Sequence, residues 1–125
     1  KNTGHVLMSQ TEKITQAAVT STTDIIIPAN SQLVSADLYV SVIWSGVAAT
    51  AGLGYVGDAT AFTAAAAFTG GVLGIIKITA GANKARVDAW ADVGSTDRRL
   101  LLTYPNLGAG EGWITVTYIQ NVDVG

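Results

Sequence analysis

Leu33-Val34-Ser35-Ala36-Asp37-Leu38-Tyr39-Val40-Ser41-Val42-Ile43-Trp44-Ser45 is the stretch on which the fold turns. Its even positions are Val34, Ala36, Leu38, Val40, Val42 and Trp44, all apolar. Its odd positions carry Ser35, Asp37, Tyr39, Ser41 and Ser45, with Leu33 and Ile43 as apolar exceptions. Successive side chains of a strand point to opposite faces, so one apolar face at period two marks a half-buried β-strand.

The same alternation recurs along the chain. In residues 84–91, Ala85, Val87, Ala89 and Ala91 alternate with Lys84, Arg86 and Asp88, which predicts a strand. Residues 113–119 set Ile114, Val116 and Tyr118 against Thr115 and Thr117, and residues 98–104 set Leu100, Leu102 and Tyr104 on one face. Shorter β-rich pieces are 12–19, 23–27, 53–57 and 72–79. Turn-forming clusters lie between them: Pro28-Ala29-Asn30-Ser31, Ala80-Gly81-Ala82-Asn83, Gly94-Ser95-Thr96-Asp97 and the loop 105–112. Residues 59–68 are alanine-rich and follow Asp58, a potential cap, so they predict one short helix in a connection. The expectation is an all-β, single-domain antiparallel β-sandwich of about eight strands, jelly-roll-like, with an immunoglobulin-like sandwich as the alternative. The domain is expected over 12–125, with 1–11 as an N-terminal arm.

Composition narrows the function. Only 13% of the 125 residues are charged, against about 25% in ordinary soluble domains. Two stretches, 38–57 and 59–76, have no Asp, Glu, Lys, Arg or His, and each is about the length of a membrane-spanning helix. Interrupting glycines (Gly46, Gly52, Gly54, Gly70, Gly71, Gly74), acidic flanks at Asp37 and Asp58, and the period-two pattern all argue against a membrane partner. A net charge of −2 argues against nucleic acid, and the 49% hydrophobic content excludes a disordered chain.

Catalytic and cofactor chemistry finds no constellation. His5 is the single histidine and lies in a segment without strand pattern, and there is no cysteine. Asp88 and Asp92 share one face at extended spacing, but two solvated charges account for them more simply than a glycosidase pair. Gly108-Ala109-Gly110-Glu111-Gly112 resembles a phosphate-binding loop superficially, yet it feeds a strand where such loops feed a helix. No cofactor, metal or catalytic residue is expected. Adjacent Arg98 and Arg99 point to opposite faces of a strand and make no phosphate track.

Three aromatics fall on the polar sides of their expected strands: Tyr39, Trp90 and Trp113. Large aromatic area outside a core suits recognition, and these three are the candidate interface residues. Trp44 and Tyr104 lie on apolar faces and belong to the core. A surface built from Thr, Ser, Ala and Gly is also inexpensive to bury against a partner.

An ordered series of strand-and-turn patterns completes the picture. It runs through Ile14-Thr15-Gln16-Ala17-Ala18-Val19-Thr20 and Thr23-Asp24-Ile25-Ile26-Ile27-Pro28-Ala29-Asn30-Ser31 into the alternating strand. Leu53-Gly54-Tyr55-Val56-Gly57-Asp58-Ala59-Thr60-Ala61-Phe62 and Gly112-Trp113-Ile114-Thr115-Val116-Thr117-Tyr118-Ile119 follow. The series resembles small β-sandwich virion proteins of tailed bacteriophages, including capsid decoration (cement) proteins. The resemblance implies a non-enzymatic protein on the outer surface of the phage head. Its expected partners are the major capsid protein and further copies of itself, with a trimer favoured. The arm 1–11 would then order on binding. The alternative is a carbohydrate-binding β-sandwich of a tail or head fibre, with its aromatics stacked on sugars.

Overall fold

The computed structural model describes residues 7–45, 50–104 and 107–120. Its strands are β1 (Leu7–Thr15), β2 (Thr20–Ile27), β3 (Gln32–Val42), β4 (Thr50–Tyr55), β5 (Phe68–Thr69), β6 (Gly74–Ile78), β7 (Arg98–Thr103) and β8 (Glu111–Ile119). One helix, α1 (Lys84–Ala91), lies between β6 and β7. The strands form two four-stranded antiparallel sheets, ordered β1-β8-β3-β6 and β2-β7-β4-β5. This interleaved order is that of an eight-stranded jelly roll.

The decisive stretch forms β3, central in its sheet, paired with β8 on one side and β6 on the other. Its inward residues Ala36, Leu38 and Val40 meet Ile114 and Val116 of β8, and all five are buried. They face Ile25, Ile27, Leu53, Leu100 and Leu102 of the second sheet across one continuous core. Burial of each such side chain stabilises the fold by about 1.5–3 kcal/mol. The alternation is not perfect, for a physical reason. Pairing with β8 shifts register between Leu33 and Ser35 and again between Val40 and Val42. Each bulge adds a residue and reverses the facing beyond it. Leu33 is therefore buried, and Val34 and Val42, expected inside, are exposed.

Two element expectations are corrected, one strand and one helix. Residues 84–91, read as a strand, form α1. The Asn83 side chain caps it by accepting from the Arg86 N–H, and Lys84 Nζ donates to Asp88 Oδ2 one turn on, at 2.8 Å. Alanine fits either face of either element, so alternation carried by Ala85, Ala89 and Ala91 says little about period. Residues 59–68, read as a helix, form no helix. Their N–H groups are drawn to β4: Phe62 and Thr63 both donate to the Leu53 carbonyl, and the Leu53 N–H donates to Thr63 Oγ1. Gly52 and Gly54 let this segment lie on the strand, since a Cβ at Gly54 would sit 2.4 Å from the Asp58 carbonyl oxygen. Asp58 caps a turn: its carboxylate accepts from the Thr60 N–H.

Of the segment 1–11, expected as an N-terminal arm, the described part belongs to β1. Leu7–Thr11 is already strand, in register with β8 from Leu7 opposite Ile119 to Thr15 opposite Glu111. Thr11 and Thr115 share a hydrogen bond across that pair. Residues 1–6, His5 among them, lie outside the described residues. Side chains of β1 then close the edge between the sheets: Gln10 donates to the Ile26 carbonyl and Glu12 accepts from the Asp24 N–H.

Candidate interaction surfaces

Tyr39 and Trp113 come together. They are register partners across β3 and β8, and the same row continues to Lys13 on β1 and Ile75 on β6. Residues directly opposite on one face of an antiparallel pair have Cβ atoms about 4.5–5.5 Å apart. The result is a line across the outer face of the β1-β8-β3-β6 sheet. Tyr39 is 49% exposed, Trp113 42% and Ile75 74%. Ile75 went unnoticed in the sequence because β6 is short and its neighbours Ile76 and Ile78 are apolar too.

The charges flanking this row are paired among themselves. Lys13 meets Glu111 at 2.7 Å, and Lys77 meets Asp37 at 3.4 Å. Such exposed pairs add at most about 1 kcal/mol to stability. Their consequence is to leave the face without net charge.

Trp90 stands apart from that row. It sits on α1, half-buried against the core, with its indole N–H donating 2.9 Å to the Phe62 carbonyl. It ties the helix to the segment lying over β4, and one wall of it lines a shallow apolar groove with Val34 and Ile78. Of the three expected contact aromatics, two share a surface and the third does not.

The other chemistry-bearing residues have structural partners. Asp88 pairs with Lys84, and the Asp92 carboxylate accepts from the Gly94 N–H just beyond the helix. Arg98 lies over the Tyr55 ring at 4.2 Å, while Arg99 donates to the Thr23 carbonyl. Among the described residues no group of three His, Cys, Asp or Glu is placed to hold a metal ion, and no helix is long and apolar enough to cross a membrane.

Parts of four connections meet at one end of the sandwich: residues 16–19, 43–45, 70–73, and 104 with 107–110. Gln16, fully buried, joins three of them, and the Trp44 N–H bonds the fourth at Gly70. The Gln16 Nε2 donates to the Ser45 carbonyl at 2.8 Å, and its Oε1 accepts from the N–H groups of Ser45 and Gly110. Its backbone bonds Gly108 and Gly110. Trp44 packs so closely on Gly70 and Gly110 that a Cβ at either would lie within 2.3 Å of its ring. Gly108 and Gly110 are therefore glycine because Gln16, Ser45 and Trp44 occupy the space a Cβ would take. Tyr104 meets Trp44 edge-on at 5.3 Å, its hydroxyl hydrogen-bonds Ser21 at 2.9 Å, and burial pushes its pKa up.

No protein-family description matches the sequence, and no curated protein matches it. The fold does have a counterpart among solved structures. The chain is similar to one in the capsid asymmetric unit of cyanophage Pam1, with a TM-score of 0.64 and 16% identity, over 97% of this chain and 89% of that one. At that identity the likeness is one of fold, and it extends over nearly the whole jelly roll.

Proposed function

We propose that this chain is a structural, non-enzymatic subunit of a bacteriophage virion, and within that class a capsid decoration (cement) protein. The observation carrying the proposal is the jelly roll shared, over almost its full length, with a chain of a cyanophage capsid asymmetric unit. The weakly charged composition and the order of strand-and-turn patterns support the same reading. On it, the protein occupies the outer surface of the head as a homo-oligomer, a trimer being favoured, and holds neighbouring major capsid subunits together.

The outer-face row supplies one contact. Tyr39, Trp113 and Ile75 bring large apolar area on a rigid sheet, so little entropy is lost on docking. The neutral pairs beside them leave no unbalanced charge to desolvate. Binding to the assembled shell and not to its separated subunits stabilises the shell by mass action, by about 2.7 kcal/mol per site at a hundredfold excess over Kd. Heads carrying the chain should therefore retain their contents at temperatures where heads lacking it leak, and equal heat resistance would count against the proposal. The adjacency of Tyr39 and Trp113 on an open face also favours a second reading, stacking on a sugar ring in a fibre-borne carbohydrate module. Binding to a glycan array, abolished by Trp113→Ala, would establish that reading instead.

A further inference from the structure

The two ends of the sandwich differ in chemistry. At the clasped end, none of the described connection residues is Asp, Glu, Lys, Arg or His: Gln16 to Val19, Ile43 to Ser45, Gly70 to Leu73, and Tyr104 with Leu107 to Gly110. The connections at the opposite end, 28–31, 56–67 and 79–97, contain Asp58, Lys84, Arg86, Asp88, Asp92 and Asp97. The uncharged end also presents Val19, Ile43, Val72, Leu73 and Leu107, each 50–64% exposed. Five large apolar side chains in four separate loops converge there, on a tip that Gln16 and Trp44 hold in place.

We infer that this tip is a docking surface, and that its occupant is an uncharged recess in a protein shell. Lipid headgroups and nucleic acid would be met by Lys or Arg, and the tip has none. The desolvated centre of a protein interface is depleted of charge in just this way. Gln16 fixes Ser45, Gly108 and Gly110 beforehand, and the Trp44 N–H fixes Gly70, which lowers the entropy lost on docking. Geometry separates a recess from a second copy. The end of a two-layer sandwich four strands wide measures roughly 15 by 20 Å. That plan area of about 300 Å² falls well short of the ~800 Å² per partner of a stable interface. Two convex tips meeting end to end do not reach it, whereas a recess that also grips the flanks does. The inference rests on the proposed role as a shell-bound subunit. It adds the orientation: the chain stands on its uncharged end, and α1 points away from the shell.

The test uses heads lacking this chain, to which purified full-length protein is added back. Leu73→Asp and Leu107→Asp place a charge on the tip, and the milder Leu73→Ser guards against a folding defect. Val87→Asp does the same on α1 at the other end. The expected result is at least about a tenfold loss of affinity for the tip variants, a smaller loss for Leu73→Ser, and no change for Val87→Asp, all with unaltered native mass. If the wild-type chain binds and the tip variants bind equally well, the docking inference fails while the decoration role stands. Loss of native mass in the tip variants would make the tip a contact between copies and overturn it. Flotation of the wild-type chain with phosphatidylcholine–phosphatidylserine vesicles would make it a membrane surface and overturn it as well. Failure of the wild-type chain to bind heads at all takes down both.

Discussion

Gln16 ties three loops together, because three backbone groups in two other loops depend on its amide. Truncation to alanine removes the partner of the half-buried Ser45 carbonyl and N–H groups and of the buried Gly110 N–H. Gln16→Ala should lower unfolding free energy by about 2–4 kcal/mol in urea titrations, and a loss under 0.5 kcal/mol would contradict the clasp. Trp113→Ala should behave in the opposite sense. Its cross-strand contact is worth about 0.2–1 kcal/mol, so stability changes little while attachment to heads weakens; a large stability loss with normal attachment would make Trp113 structural only. Tyr104 gives a pH signature. Its folded pKa is raised by burial, so its contribution is fully present below the unfolded value of about 10 and is lost as pH rises through the folded value. Thermal melts of the wild type should fall across that alkaline window more steeply than those of Tyr104→Phe.

Among the elements, the strands with true apolar alternation were legible and the alanine-rich segments were not. β3 and β8 could be read because Leu38, Val40, Ile114 and Val116 are large enough to require one face. Residues 59–68 form no helix and 84–91 no strand, because alanine carries too little area to select a face. The decision passed to groups outside the segments: Leu53 for the first, and the Asn83 cap with the Trp90–Phe62 bond for the second. Tyr39 and Trp113 were legible as outward-facing, but that they are neighbours depends on β3 pairing with β8, a long-range fact. Trp90 was misplaced together with its element. The lying-down of 59–68 on β4 makes a prediction at this scale: Gly54→Ala drives a methyl into the Asp58–Ala59 backbone. It should destabilise by about 2–3 kcal/mol, measured by urea unfolding, whereas a neutral outcome would mean that the segment is not held against the strand.

At the scale of the molecule, the low charge of the sequence resolves into a distribution. Charged residues concentrate at the α1 end, the outer sheet face balances its own, and the clasped end has none. The two uncharged stretches, long enough to suggest a membrane, run through strands and loops on both sheets. Attachment through such surfaces should be nearly indifferent to ionic strength, changing less than about twofold up to about 0.5 M NaCl, because there is little charge for salt to screen. The central claim is that this chain is a stoichiometric part of a virion. Its most direct test is the copy number of this chain relative to the major capsid protein in purified intact heads, measured by quantitative mass spectrometry. A fixed ratio, the same from preparation to preparation and preserved through a salt wash, is the predicted result. A ratio that varies between preparations or falls to zero on washing would contradict the account.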